Sequence, residues 1–282
     1  MKVSKKEIED FIKLAIEEDI KDGDHSSLAC IPTGEYGKAK LLVKQDGILA
    51  GVELAKSIFH YFDKNSKLEI LMQDGDSMKY GDIAFYIEGN VHAILQAERL
   101  VLNCMQRMSA IATKTNEVAS KIKDLKTKVL DTRKTTPLLR FIEKWAVRIG
   151  GGVNHRFGLY DMIMLKDNHI DYAGGIEKAI TQTNNYLKQK GKDLKIEIET
   201  RNLEEVKEVL SIGNINRIML DNFSYEDIKI AIGLINGKYE TEASGGITSE
   251  TVRNYAECGV DFVSMGALTH SVKNLDLSLK AV

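Results

Sequence analysis

The second half of the chain alternates between apolar, strand-like runs and amphipathic helical runs, and this alternation narrows the possible folds most. Six strand candidates lie at 128–131, 161–166, 194–199, 217–221, 239–244 and 261–265. The helical patterns between them include 137–149, 175–189, 203–210, 225–234 and 249–257. Apolar strands joined through helices indicate a parallel sheet buried on both faces. Six strands, or seven if one is irregular, fall short of the usual eight, so we expect an incomplete α/β barrel.

The first half lacks this regular alternation and predicts an α+β layer domain. Ser4 and Glu7 have the spacing of a capping box before an apolar helical stripe. Strand-like segments follow around 38–43, 47–51, 67–72 and 83–87, with a helical stretch at 52–62. From Asn90 to about residue 123 the pattern stays helical for longer than one usual helix. We place a domain boundary inside it, near residue 108.

Composition excludes several function classes. The net charge of −2 among 282 residues argues against a broad basic surface for nucleic acid. No apolar run is long enough to span a bilayer, and the N-terminus lacks the pattern of a signal peptide. The three cysteines are scattered and odd in number, which fits a reducing compartment rather than a disulfide framework or a zinc cluster. We expect a cytoplasmic location.

Each predicted strand of the second half ends in, or is followed by, an ionisable side chain or a serine or glycine of the kind that binds phosphate. In chain order these are Asp131 with Arg133 and Lys134, Lys166, Glu199, Asp221, Ser244 with Gly245 and Gly246, and Gly266 with His270 beyond. Active sites of α/β barrels are built at the carboxyl ends of the strands. Strands that simply end where polar loops begin would explain the polarity but not this selection, so we predict a site there. The two glycine-containing loops after the late strands favour phosphate binding.

Arginine is scarce and clustered. Only nine of the 39 basic residues are arginine, and four lie within 24 residues, namely Arg133, Arg140, Arg148 and Arg156. The cluster indicates recognition of carboxylate or phosphate, although an ordinary salt-bridged surface is the alternative. Arg140, Lys144 and Arg148 fall on one helix face, which lines the pocket or is solvated, and we favour solvation for Lys144. Thr136 and Pro137 predict the cap and the first position of that helix.

Several roles stay open on the residues alone. Lys166 could form a Schiff base, as in some aldolases, but the other cations nearby favour anion binding. Glu199 and Asp221 could bind Mg²⁺, hold ribose hydroxyls, act as acid and base, or balance the lysines. His169 either supports the site or caps the next segment. The six histidines include no HExxH or HxH motif, which disfavours a histidine metal site.

With these residues assembled, the chain resembles the quinolinate phosphoribosyltransferase family. The segments "DTRKTTP", "AVRIGGGVNHRFGLYDMIMLKDNH", "IEIET", "LDNF", "SGGI" and "GALTHS" occur in the family's order, and "EEDIKDGDHSS" resembles its opening motif. The resemblance implies an N-terminal α/β sandwich over 1–108, joined by the tail 271–282, and an incomplete α/β barrel over 109–270. It also implies transfer of phosphoribosyl from phosphoribosyl pyrophosphate to quinolinate with loss of CO₂ in NAD biosynthesis, with Mg²⁺ as cofactor.

The resemblance also assigns roles to individual residues. Quinolinate would be held by Arg133, His155, Arg156, Lys166 and, from a neighbouring subunit, Arg99, which implies a homodimer or a larger oligomer. Phosphoribosyl pyrophosphate would be bound by Lys134, Glu199, Asp221, Ser244, Gly245, Gly246, Gly266 and His270. Glu199 and Asp221 would also hold the metal, and Lys134 and Lys166 would join them in catalysis.

Two residues depart from the family pattern. Leu138 stands where the family usually has glycine after "TP", and His25 stands where the opening motif is usually apolar. Both departures put the local backbone conformation in doubt.

Rival interpretations are a paralogue associated with molybdenum transport, a Schiff-base aldolase acting through Lys166, and a nucleotide-binding sensor without turnover. Retention of the full "NHR" and "LKDNH" set argues against the paralogue.

Overall fold

The structure, a computed structural model, describes residues 3–282 and divides the chain into two compact units. The first unit contains the chain up to Asn116 together with Thr136–Gly151 and Ser271–Val282. The second unit contains Glu117–Thr135 and Gly152–His270. The boundary expected near residue 108 falls within one continuous helix and stays a prediction.

Helices and strands are numbered in chain order. The helices are α1 (Lys5–Asp19), α2 (His25–Cys30), α3 (Val52–Phe62), α4 (Val91–Ser120), α5 (Arg140–Ile149), α6 (Asp167–Ala173), α7 (Ile176–Lys190), α8 (Leu203–Ile212), α9 (Tyr225–Ile235), α10 (Val252–Glu257) and α11 (Ala267–His270). The strands are β1 (Tyr36–Val43), β2 (Gly47–Ile48), β3 (Lys67–Ile70), β4 (Ser77–Met78), β5 (Ile83–Asn90), β6 (Lys128–Leu130), β7 (Ile163–Leu165), β8 (Ile196–Thr200), β9 (Arg217–Asp221), β10 (Glu240–Ser244), β11 (Phe262–Ser264) and β12 (Leu277–Ala281).

The first unit is built on a four-stranded antiparallel sheet in the order β12-β1-β5-β3. The C-terminal strand completes it, with Leu279 opposite Leu41. Alternate residues of β1 are buried, and the core includes the edge-to-face pair Phe59 and Phe85, whose ring centroids lie 6.1 Å apart. The predicted capping box of Ser4 is present at the start of α1.

The second unit is built on six parallel strands in the order β6-β11-β10-β9-β8-β7. Within residues 3–282, β6 and β7 are not paired with each other; β6 is extended only by a single bridge from Leu130 to Val153. The sheet therefore keeps two edges. This confirms the incomplete α/β barrel and fixes the strand count at six.

The predicted start of α5 is wrong. The helix begins at Arg140 with Leu139 as its N-cap, not at Pro137 after a Thr136 cap. Leu138 explains the delay, because its φ of +65° lies in the left-handed region and cannot continue a right-handed helix. The departure from the family's glycine at this position thus falls on a backbone conformation that glycine adopts more readily.

We expect Leu138→Gly to stabilise the protein slightly. The side chain is 89% exposed, so little burial is lost, and the left-handed conformation costs a non-glycine residue about 1–2 kcal/mol. Glycine also has more conformational freedom in the unfolded chain, which lowers the free energy of unfolding by about 0.4–1 kcal/mol. The net increase in the free energy of unfolding is therefore roughly 0.5–1 kcal/mol. Urea unfolding followed by the fluorescence of Trp145 on α5 measures it. Leu71→Gly is the matched control, since Leu71 is 52% exposed without positive φ, and a gain there would contradict the explanation.

The cysteines, His25 and the lengths of the helices can each be compared with what the sequence predicts. Cys30, Cys104 and Cys258 are all free, and burial raises the pKa of the Cys104 thiol to about 12. His25 lies at the exposed first turn of α2, after the Asp24 cap, where a polar side chain is tolerated. Among residues 3–282, the helices are each too short or too polar to cross a bilayer.

Candidate active site

The carboxyl ends of the six parallel strands open into a cavity of about 750 Å³, within the range of small-molecule sites. The lining includes all but one of the residues predicted to form the site: Arg133, Lys134, His155, Arg156, Lys166, Glu199, Asp221, Ser244, Gly245, Gly246, Gly266 and His270. Arg99 is not among the lining residues; it lies on α4 with an exposed side chain.

One side of the cavity is basic. Arg133, Lys134, Arg156 and Lys166 contribute four cations, and the Arg156 guanidinium is fixed by a 3.2 Å hydrogen bond from Nη1 to the carbonyl of Met162. Burial, and then the positive charge of Arg133, lower the pKa of Arg156. Two guanidinium groups held this near each other repel, and an anionic ligand would offset that cost.

His155 is anchored at both its backbone and its ring. Its N–H donates to the buried carboxylate of Asp131 over 2.8 Å, and the Asn154 side chain donates to the same carboxylate over 2.6 Å. The ring Nε2 lies 2.9 Å from Glu197 Oε2 and 3.4 Å from Glu242 Oε2. Burial alone would lower the pKa of His155, but the hydrogen bonds and charges of the two glutamates raise it to about 9.

Asp131, Glu197, Glu242 and Arg217 surround this histidine and were not predicted as site residues. Asp131 was noted only as a strand end. A signal for the others was available, because Glu197 and Glu199 alternate within the apolar run "IEIET". Alternate residues of a strand face the same side, so a polar residue two positions before a predicted site residue lies on the site's face of the sheet.

Two carboxylates, Glu199 and Asp221, also line the cavity. Glu199 is half-buried, and its pKa is raised by burial first and then by the charges of Asp221 and Asp167. Asp221 accepts hydrogen bonds from the Ser244 hydroxyl at 2.5 Å and the Asn222 amide at 2.7 Å. Each carboxylate oxygen has a further lone pair for a ligand. A divalent cation would relieve the repulsion among these carboxylates, and their oxygens are the donors that Mg²⁺ prefers.

A second set of possible metal donors lies deeper. His155, Glu197 and Glu242 place one donor atom each within 4.8 Å of one another. A cation already serves this set, because Arg217 Nη1 lies 3.1 Å from Glu242 Oε2 and 4.0 Å from Glu197 Oε2. Glu199 and Asp221 therefore fit a metal better than the buried set does.

The two glycine loops approach their neighbours closely, and Gly245 is the position that requires glycine. Gly245 has φ of +93°, and a Cβ there would lie 2.1 Å from Asn222 Oδ1. A Cβ on Gly266 would lie 2.8 Å from Lys134 Cδ. The Thr269 hydroxyl also donates to the Lys134 carbonyl over 2.8 Å. The loop after β11 is thus packed against the segment that carries Lys134.

The structure bears on two open questions from the sequence. His169 caps α6, because its Nδ1 accepts the Lys166 N–H over 3.0 Å, and the same bond holds the backbone of the predicted site residue Lys166. Solvation of Lys144 is wrong: the residue is only 3% exposed and α5 belongs to the first unit. The face formed by Arg140, Lys144 and Arg148 contributes no lining residue to the cavity. Spacing alone could not show which side of α5 the fold buries.

Comparison with known proteins matches both halves of the chain. A family described as quinolinate phosphoribosyl transferase, C-terminal domain, matches residues 111–280. The corresponding N-terminal domain family matches residues 24–109.

Individual relatives agree. The chain is 49% identical over 284 residues to a nicotinate-nucleotide pyrophosphorylase (carboxylating), chloroplastic, from Arabidopsis thaliana, covering 95% of this chain and 81% of the relative. It is 41% identical to a probable enzyme of the same name from Bacillus subtilis, covering 93% and 89%. The solved nicotinate-nucleotide pyrophosphorylase from Francisella tularensis superposes with a TM-score of 0.91 at 38% identity, covering 100% of this chain and 98% of the other.

Proposed function

This chain belongs to the quinolinate phosphoribosyltransferase family, and from that premise we propose the reaction of its cavity. The protein transfers phosphoribosyl from phosphoribosyl pyrophosphate to quinolinate and forms nicotinate mononucleotide, pyrophosphate and CO₂ for NAD biosynthesis. The observation that carries this proposal is a single cavity lined by Arg133 and Arg156 together with Glu199 and Asp221.

The basic wall suits the dicarboxylate. Quinolinate carries two carboxylates on a planar ring, and arginine forks bind such groups bidentately. Arg133 and Arg156 would supply the forks, Lys166 would add a point charge, and His155 lines the same cavity. Fixing the ring this way would aim its nitrogen at the anomeric carbon of the ribose, so that attack becomes effectively intramolecular.

The glycine loops and Lys134 suit the phosphates. Ser244, Gly245 and Gly246 offer backbone N–H groups for the 5′-phosphate, as barrel loops after late strands commonly do. Lys134, held against Gly266 and Thr269, would lie beside the pyrophosphate and stabilise its charge as it departs. His270 lines the same part of the cavity.

Glu199 and Asp221 would hold Mg²⁺. The bound ion would shield the charge of the pyrophosphate. The same two carboxylates would accept hydrogen bonds from the ribose hydroxyls. Burial first, and then the charge of Asp221, raise the pKa of Glu199, so either ligand would stabilise its ionised form.

The chemistry needs little proton transfer from the protein. The pyridine nitrogen donates its lone pair to the anomeric carbon, and the bond to pyrophosphate breaks with its electrons leaving on the pyrophosphate oxygen. The ring is then a cation. When the bond from the ring to the 2-carboxylate breaks, the cationic ring stabilises the electron pair that CO₂ leaves behind, and a proton replaces CO₂ there. This requires one carboxylate to be released while the other stays clamped.

We further propose a homodimer in which Arg99 completes the partner's cavity. Arg99 is exposed and is absent from the lining of the cavity, which second-unit residues form. A mixture of Arg99→Ala and Arg133→Ala should regain activity after subunit exchange, when assayed at quinolinate concentrations too low for either variant alone to turn over appreciably. A heterodimer holds one intact site of two, so the mixture should recover about a quarter of wild-type activity. Turnover rates before and after mixing test this, and no recovery despite exchange shown by mass spectrometry would contradict it.

The cytoplasm remains our proposal for the compartment. It is supported by three free cysteines, of which Cys30 is exposed. Plant relatives are named as chloroplastic or mitochondrial proteins, so the family is not restricted to one compartment.

A turnover assay with Mg²⁺, phosphoribosyl pyrophosphate and either quinolinate or nicotinate tests the proposed function. Mononucleotide from quinolinate alone supports it, and addition of a chelator should stop the reaction. Product from nicotinate alone would show that the basic wall does not serve a dicarboxylate. Binding of phosphoribosyl pyrophosphate without turnover would indicate a sensor, and borohydride trapping at Lys166 with a carbonyl substrate would indicate an aldolase.

A further inference from the structure

Four ionisable residues form a buried cluster at the base of the cavity. Arg217, Glu197, Glu242 and His155 lie on the inner face of the second unit's sheet, and we call them the interior cluster. The Glu197 and Glu242 side chains are fully buried, and that of Arg217 is 10% exposed. Glu242 and His155 also line the cavity, whereas Arg217 and Glu197 do not.

The strand register places the interior cluster one layer below the site. Glu242 lies two residues before Ser244 on β10, and Arg217 lies four residues before Asp221 on β9. Residues an even number of positions apart on a strand face the same side, so Glu242 and Arg217 face the side on which the site residues Ser244 and Asp221 lie. Arg217 pairs in register with Glu197 on β8 and with Glu240 on β10. Its side chain therefore sits between two strands that both carry acids.

Arg217 is itself held rigidly. Nη2 and Nε contact Glu240 Oε2 at 3.0 Å and 3.3 Å, Nη1 donates to Glu242 Oε2 at 3.1 Å, and the guanidinium lies 4.2 Å over the Phe262 ring. These contacts leave it one orientation. A buried carboxylate pair facing one imidazole needs such a fixed cation, because isolated buried charges are strongly unfavourable.

The other end of the interior cluster reaches Arg156. The His155 ring directs Nε2 to the two glutamates, and its Nδ1 lies 2.6 Å from the backbone nitrogen of Arg156. The ring thus bridges buried carboxylates on one side and a cavity arginine on the other. Displacing the ring would remove this contact with the Arg156 backbone and leave the Met162 carbonyl as the contact that holds the guanidinium.

We propose that Arg217 and Glu242 are positioning residues for the dicarboxylate: they fix the His155 ring and, through it, Arg156. This rests on the proposed function. Arg217 does not itself line the cavity and contacts it only through Glu242, so its position in the sequence does not suggest a role in substrate binding. A displacement of about 1 Å at a binding group can cost about a hundredfold in rate.

Arg217→Met tests the proposal kinetically. KM for quinolinate should rise about ten- to a hundredfold, while KM for phosphoribosyl pyrophosphate should change less than about twofold, and Arg217→Lys should recover most of the loss. Glu242→Gln should behave like Arg217→Met. Arg253→Met is the matched control, because Arg253 also pairs with two acids, Asp124 and Glu257, but is 45% exposed. Equal changes in both KM values, or a fall in kcat alone, would overturn the proposal.

A second readout does not depend on turnover. Ring-nitrogen NMR of histidine-labelled protein, with His155 assigned by its loss in His155→Asn, should show shifted His155 signals in Arg217→Met and unshifted ones in Arg253→Met. Unchanged His155 signals in Arg217→Met would overturn the proposal even in an active enzyme. Absence of turnover in the wild type with these shifts present would instead count against the proposed function. The proposal would also be overturned if the wild type bound one metal ion per chain and Glu242→Gln did not, because the cluster would then be a metal site.

Discussion

Replacing Arg133 by alanine should weaken quinolinate binding at least about 30-fold, while the affinity for phosphoribosyl pyrophosphate changes less than about threefold. Truncating one partner of a desolvated, hydrogen-bonded charge pair costs roughly 2–5 kcal/mol, and 1.4 kcal/mol corresponds to a factor of ten. Arg133 lies on the basic wall beside Arg156, and the phosphate loops lie on other strands. Calorimetric titration of each ligand separately measures the two losses.

Two further variants sharpen this test. Arg133→Lys keeps the charge but not the fork, so its quinolinate affinity should lie between those of the wild type and Arg133→Ala. Arg253→Ala removes a surface arginine of the same unit and should bind both ligands as the wild type does. If Arg133→Ala lost affinity for both ligands equally, the assignment of this arginine to quinolinate would be wrong.

Replacing Glu143 by alanine should cost about 3–5 kcal/mol of the free energy of unfolding. The Glu143 carboxylate is fully buried in the first unit, where Oε1 accepts from Arg107 Nη2 at 2.9 Å and Nε at 3.1 Å. Its Oε2 accepts the Thr136 N–H at 3.2 Å. Removing one partner of a buried pair leaves the other charge uncompensated, and that penalty exceeds the net value of the pair.

Urea unfolding measures this loss, and Trp145, two residues along α5, is a local fluorescent probe. Glu9→Ala is the matched control, since Glu9 makes only an exposed 3.6 Å pair with Lys5 and should change stability by less than about 0.5 kcal/mol. The double variant Arg107→Met with Glu143→Leu should be more stable than Glu143→Ala. A loss below about 1 kcal/mol in Glu143→Ala would show that solvent compensates Arg107.

The sequence predicted the architecture well where patterns are local and repeated. Six apolar runs separated by helical ones led to the six-stranded parallel sheet, and Arg217–Asp221 has the bounds predicted for β9. Chargeable groups at strand ends led to the cavity, because parallel strands bring their carboxyl ends to one edge. The prediction failed at Pro137, where a local cap signal is overridden by the left-handed Leu138.

The features that the sequence did not predict depend on contacts between segments that are distant in the chain. Lys144 is buried because α5 belongs to the first unit, which its spacing along the chain does not reveal. Arg217 was not singled out, because its partners Glu197, Glu240 and Glu242 come from two other strands. Only the register of the sheet brings these charges together under His155.

The central claim is that one cavity both joins quinolinate to phosphoribosyl and releases its 2-carboxylate. Quinolinate labelled with ¹³C in the 2-carboxylate, incubated with Mg²⁺ and phosphoribosyl pyrophosphate, tests it most directly. We predict ¹³CO₂ and unlabelled nicotinate mononucleotide in equal amounts. A mononucleotide that keeps the label, or labelled CO₂ without any mononucleotide, would contradict the account.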